Sequence, residues 1–216
     1  MEWSKDQVEF LKRNYKKLTK DEMEKVLNRK WVAIYAKLKR LRCRLGRSPR
    51  YKRNSKFFSK INTKTKAYIL GLIFGDGSIE KNGDYWAISL IDLDVIQFIK
   101  RSIEYEEPIM EEFFEDSRRT RYTLRICDPQ HIKDLEKYGC VNKKSKILKF
   151  PKIRNDLKLS FICGDFDSDG SIHIPEKGKN FSQRRINFSG TRDTMENRRD
   201  FLCLYGFPKV KIKDDK

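Results

Sequence analysis

Two acidic residues, Asp76 and Asp169, each stand directly before a glycine and a Ser-Ile pair, 93 positions apart. The first segment, Ile69–Ile79, reads ILGLIFGDGSI, and the second, Ile162–Ile172, reads ICGDFDSDGSI. Gly71 matches Gly164, Gly77 matches Gly170 and Ile79 matches Ile172 at the same offset. Thr65–Phe74 is apolar on most faces, the pattern of a helix buried on several sides. Gly71 and Gly75 lie four apart on it, and Gly164 and Ser168 take the same places in the second copy. Small residues at that spacing let two helix backbones approach, which brings the acids at their C-termini together. Like charges at the negative ends of two helix dipoles disfavour one another. A divalent cation relieves that, and hard oxygen ligands favour Mg²⁺ (or Mn²⁺), which keeps waters and binds phosphate oxygens. The chemistry implied is metal-assisted phosphodiester hydrolysis.

Bulk composition points to the same substrate. The 216 residues carry 49 Lys and Arg against 31 Asp and Glu, a formal net charge of +18. Such an excess favours phosphate backbones, and so a nucleic-acid partner. Five scattered cysteines with no CxxC pair, and only two histidines, argue against a zinc site or a disulfide framework. No apolar run approaches membrane-spanning length and no signal-peptide core opens the chain. The expectation is an intracellular protein without membrane association, in the cytoplasm or in an organelle or virus-infected cell.

The elements that must carry these residues read as α+β. Residues 1–46 form a small helical module. Ser4 with Gln7, and Thr19 with Glu22, make capping boxes, and a turn near Asn28–Lys30 leads to a third helix. Trp31, Ile34, Leu38 and Leu41 share one face of that helix, and Lys37, Lys39, Arg40, Arg42 and Arg44 lie on the other. Three short helices with a basic third one fit a helix-turn-helix plan, and the segment resembles Myb/SANT-like and homeodomain-like modules. Tyr35 and Lys39 are the candidates for base or phosphate contact. Residues 47–64 are basic and lack periodic hydrophobics, so they read as a linker. Further on, strands are expected at 84–91, 108–115 and 119–126, with helices at 94–105 and 129–138. Across Arg119–Ile126, Arg119, Arg121, Thr123 and Arg125 alternate with Tyr122, Leu124 and Ile126. That alternation puts the arginines on one face, open to DNA. Arg184 and Arg185 are the second half's candidates for the same role.

The doubled motif resembles the paired signatures of LAGLIDADG homing endonucleases, in their single-chain, two-repeat form, over roughly residues 65–213. The resemblance implies two αββαββα repeats, 65–150 and 151–216. The motif helices would form the interface, and two antiparallel sheets would straddle the major groove. Asp76 and Asp169 would hold the metal, both strands of double-stranded DNA would be cut across the minor groove, and short 3′ overhangs would remain. Val141–Pro151 resembles the family's lysine-rich connector, which makes Lys144 and Lys146 candidates for a basic residue beside the scissile phosphate.

The second copy departs from this pattern. Asp165 stands where Leu72 does, facing solvent or a basic neighbour, and Asp167 stands where Phe74 does. Asp165, Asp167 and Asp169 lack the spaced ligands ending in Glu that a calcium loop needs. Residues 185–189, 191–204 and 207–213 read as strand, helix and strand, with no counterpart to 119–140. A shortened second repeat is therefore expected, in a monomer or in a dimer whose partner completes the sheet. No intein splicing pattern brackets the chain, which suits a free-standing, intron-encoded or phage-type protein. The competing reading is a non-cleaving binder on the same scaffold, either an RNA maturase or a transcriptional regulator.

Overall fold

A computed structural model of the chain describes residues 3–15, 18, 20–41, 43, 51–81, 83–173 and 185–213. Thr19, Arg42, Arg44 and Arg184 lie outside these residues. The fold is mixed α+β and divides into two compact units at the Arg50–Tyr51 boundary.

The first unit contains α1 (Lys5–Asn14), α2 (Lys20–Leu27) and α3 (Trp31–Arg40). Leu11, Met23, Leu27, Ile34 and Leu38 form its buried core. The Ser4 hydroxyl caps α1 by accepting from Gln7 N at 3.2 Å. The Gln7 side chain does not close a capping box: its Oε1 accepts from Arg29 Nη2 at 3.1 Å, and Arg29 in turn lies over the Trp3 ring. The α2–α3 turn uses Asn28 at φ +49°, a left-handed conformation that asparagine tolerates. Glu24 then accepts a hydrogen bond from Trp31 N and fixes the start of α3.

The second unit begins earlier than a linker ending at residue 64 would allow. Phe57, Phe58 and Ile61 belong to its main core. Arg53 pairs with Asp128, the N-cap of α6 (Pro129–Lys137), and Asn54 N donates to Ile103 O at 2.8 Å. Three apolar side chains suffice to fold this basic stretch onto the body, so from Tyr51 onward it is packed structure.

Two helices form the spine of the unit, α4 (Lys64–Gly75) and α7 (Asn155–Asp169). After α4 come β1 (Gly77–Ile79), β2 (Trp86–Leu90), α5 (Leu93–Ser102), β3 (Met110–Phe114), β4 (Arg119–Ile126) and α6. The strands make an antiparallel sheet in the order β1-β2-β4-β3. Ile79, Trp86, Ile88, Leu124 and Ile126 face inward and are buried, against Ile96, Ile99, Ile132 and Leu135 of the helices. After α7 come β5 (Ser171–His173), β6 (Arg185–Asn187) and α8 (Arg192–Cys203), with β5 and β6 pairing antiparallel through Ile172 and Ile186.

The expected strand at 207–213 is not formed. In the first half, the strand that follows the helix, β3, bonds to β4 alone. Among the described residues nothing plays β4's part for 207–213, so the segment has no ladder to join. The inner face of the second sheet is correspondingly bare: Ile172 is 61 % exposed, whereas its counterpart Ile79 is 4 % exposed.

What joins the two halves is main-chain contact. A methyl added at Gly71 would overlap the Phe161 carbonyl and lie 2.6 Å from Asp165 N. One added at Gly164 would overlap the Tyr68 carbonyl. Neither obstacle can swing aside, because both are backbone. Gly71→Ala and Gly164→Ala are each expected to cost about 3 kcal/mol, read as a lower urea midpoint at unchanged m-value. Alanine tolerated at both positions would show that the helices can part freely.

Candidate active site

The glycine contact runs to the end of both helices, where it sets the acids. Asp76 is the C-cap of α4 and Asp169 is the last residue of α7. Asp169 Oδ2 lies 3.1 Å from where a Cβ on Gly75 would sit, so this carboxylate rests on the residue just before Asp76. Both acids are exposed at the mouth of the helix pair. The surrounding protein and the Asp169 charge push Asp76 up to about 6, against the pull of Lys144. Among the described residues neither acid forms an ion pair, and no three His, Cys, Asp or Glu side chains gather as a metal cluster. The donor set offered is two hard carboxylate oxygens whose mutual repulsion a divalent cation would lift.

Of the two connector lysines, the structure brings one to this place. Lys144 lies in a single 3₁₀ turn, Lys144–Lys146, and is buried. Its Nζ donates to the carbonyl oxygens of Gly75 (3.1 Å) and Gly77, the residues on either side of Asp76. It thereby satisfies carbonyls at the frayed end of α4 and sets a cation at the negative end of the helix. Burial pushes its ammonium below the usual range, while Cys140, Asp169 and Asp76 pull it back. Lys146 is exposed, and no described contact ties it to the acids.

The other two acids of the second motif point elsewhere. Asp167 accepts a hydrogen bond from Tyr68 of the facing helix at 2.7 Å. Asp165 is buried and pairs with Arg198 of α8, so its basic neighbour exists and solvent does not reach it. Arg198 also donates to Ser189 O at 2.8 Å, while its Nε finds no acceptor. Burial pushes Asp165 up to about 6 despite Arg198, and pushes Arg198 down despite Asp165. Arg198 carried no role in the sequence reading. The signal for it was Asp165 itself, since a charge on a buried helix demands a partner. Asp165 stands where Leu72 stands, and Arg198, seventh after its N-cap Thr191, stands where Ile99 stands after Asp92. Two buried aliphatic positions in one half are thus an ion pair in the other.

A basic surface lies on the outer face of the first sheet. Arg119, Arg121 and Arg125 are exposed along β4, with Thr123 between them. Thr123 shares a 2.8 Å hydrogen bond with Ser89. The Arg121 guanidinium lies 4.5 Å from the centre of the Phe114 ring, and that of Arg125 lies 3.8 Å from Tyr85. Glu112, opposite Arg121, is the acid on this face. In the second half, Arg185 is exposed on β6 opposite His173, also exposed. Tyr35 and Lys39 are exposed on α3 of the first unit.

No family model matches the chain. It is 26 % identical over 162 residues to an uncharacterized protein of Methanocaldococcus jannaschii, a match covering 71 % of this chain and 57 % of that protein. The chain therefore spans little more than half the length of that relative. No helix among the described residues is long and apolar enough to cross a membrane.

Two outcomes follow from the electrostatics. Arg198→Ile alone strands the buried Asp165 charge and is expected to cost about 3–5 kcal/mol. Adding Asp165→Leu restores the apolar pair of the first half and brings the denaturant midpoint back to the wild-type value or above it. The second concerns pH in the metal-free protein. Asp76 keeps its proton to about pH 6 when folded, against an ordinary 3.8. Its contribution is thus fully present below pH 3.8 and is lost as pH rises through 6. Asp76→Asn mimics the protonated acid, so its melting temperature should match wild type near pH 4 and exceed it above pH 6. A gap that shrinks with rising pH would contradict a raised Asp76 proton affinity in the folded protein.

Proposed function

We propose that the chain is a site-specific DNA endonuclease of the LAGLIDADG type, cutting phosphodiester bonds with a divalent metal held by Asp76 and Asp169. The observation that carries this reading is the helix pair. Two backbones packed at glycine set at one mouth two carboxylates that no described residue pairs as an ion, in a chain of net charge +18. Ordinary folding has no use for such a placement, whereas a phosphate-cutting site does. Bound there, Mg²⁺ or Mn²⁺ supplies an activated water and stabilises the leaving oxygen of an in-line displacement.

The chain's own residues do the rest. Asp76 and Asp169 offer one carboxylate each, so the remaining coordination positions are open to water and phosphate oxygens. Lys144 holds the Gly75–Gly77 turn that presents Asp76, and its charge favours the ionised, ligating form of Asp76. Arg119, Arg121 and Arg125 run along the outer sheet face to grip the duplex backbone or read guanine edges. Arg185 extends this grip from the second half, and the helical first unit adds contacts of its own through Tyr35 and Lys39.

A second reading is favoured by one feature, the bare second sheet with Ile172 exposed. An incomplete half-site suits a protein that binds without cutting, such as an RNA maturase or a transcriptional regulator. It would equally suit a monomer that acquires its missing cover from a partner.

Incubation with Mg²⁺ and a duplex carrying the native insertion site separates these readings. Wild type should cut, while Asp76→Asn and Asp169→Asn each lower the rate at least a hundredfold and keep their salt-sensitive binding. Salt-sensitive binding by wild type without any cutting would establish the second reading, and equal cutting by both variants would take the acids out of catalysis.

A further inference from the structure

We propose that the outward face of α3 recognises thymine through its methyl group, with Val32 as the specificity-determining side chain. The proposal rests on the duplex-binding reading above and adds to it the base that is read.

The observation is an inverted surface. The outward faces of α1 and α2 are mixed in charge, with Asp6, Glu9, Lys12 and Arg13 on one and Asp21, Glu22 and Lys25 beside a single exposed Val26 on the other. That is the ordinary composition of a solvated helix. On α3 the buried arc is Ile34 and Leu38, with Trp31 and Leu41 half-buried at its edges. The opposite arc carries Val32, Ala33, Tyr35 and Ala36, and then Lys39 and Arg40. No acid occurs anywhere in Trp31–Arg40. Val32 is 80 % exposed and Tyr35 53 % exposed. The Tyr35 ring leans on Trp31 at the edge of the core, with centroids 6.2 Å apart, whereas Val32, Ala33 and Ala36 take no part in the core cluster formed by the described residues.

The arrangement selects its occupant by charge and by size. Cations at the C-terminal end of a helix that itself carries no acid favour an anionic partner. A strip of methyl-bearing side chains on the first two turns requires something apolar within that same partner. Duplex DNA offers this combination in its major groove, where thymine alone projects a methyl group and phosphates line both rims. The groove admits a helix, and the small side chains Ala33 and Ala36 allow close approach to base edges. Val32 then meets the methyl, while Lys39 and Arg40 reach the rim. The α2–α3 turn is held by Asn28 and by the Glu24 cap on Trp31 N, so the face is presented rigidly.

Deoxyuridine differs from thymidine by that methyl alone, which makes it the probe. Binding sites are selected by the full chain from a random duplex pool. Each thymine of the selected site is then replaced in turn by deoxyuridine, and affinity is read by fluorescence anisotropy. One or more replacements should weaken wild-type binding about fourfold, the worth of one buried methyl. In Val32→Ala, an exposed change that leaves the core intact, the same replacements should make no difference. Deoxyuridine tolerated at every position, or a penalty that persists in Val32→Ala, overturns the proposal. In either case Lys39→Ala still weakens binding and the duplex-binding reading stands. If the wild-type chain selects no site and binds no duplex at low salt, that reading falls as well, and the proposal with it.

Discussion

The structure depends on one contact, the approach of α4 and α7 at Gly71 and Gly164. There the carbonyl of one helix occupies the space a side chain would need on the other. Everything distinctive about the candidate site follows from that distance. With the axes this close, the last turns must lie side by side, and Asp169 comes to rest against Gly75. The raised affinity of Asp76 for its proton is the cost of desolvation by the surrounding protein first and of the Asp169 charge second. Lys144 meets part of that cost without quenching either acid, because its ammonium binds main-chain carbonyls.

The halves around this axis are alike in plan and unequal in substance. In the first, a four-stranded sheet covers a continuous core that includes Phe57, Phe58 and Trp86. In the second, two three-residue strands leave their apolar side chains open, and α8 reaches the core chiefly through Phe201. The Asp165–Arg198 pair lies where the first half has two aliphatic side chains. A buried pair with an unused guanidinium nitrogen stabilises less than the hydrophobes it replaces. Stability in the second unit therefore rests on the first repeat and on the helix axis.

Most of this was legible from local pattern. The constant offset between the acids announced the duplication, and small residues four apart announced close helix packing. The strand at Arg119–Ile126 follows directly from its alternation, and the short helices of the first unit follow from their spacing. What pattern could not show were interactions set by tertiary partners. Residues 51–61 look like a tether because their basic content hides three core residues. Residues 207–213 alternate like a strand, but a strand needs a neighbour, and alternation says nothing about whether one exists. Lys144 and Lys146 are equivalent in sequence, and only the fold buries one of them against the carbonyls beside Asp76. Arg198 was invisible because its meaning lies in Asp165, more than thirty residues away.

The arginines of β4 carry a consequence of their own. A long cationic side chain usually surrenders much rotamer freedom when it is immobilised on a ligand. Arg121 and Arg125 already rest over Phe114 and Tyr85, so part of that entropy is lost before any encounter. Their guanidiniums form a preset ruler along the strand, spaced by the pleat and fixed in height by the rings beneath. On the proposed duplex, a ruler of that kind would tolerate little variation in groove width, so the shape of the partner would be tested along with its charge.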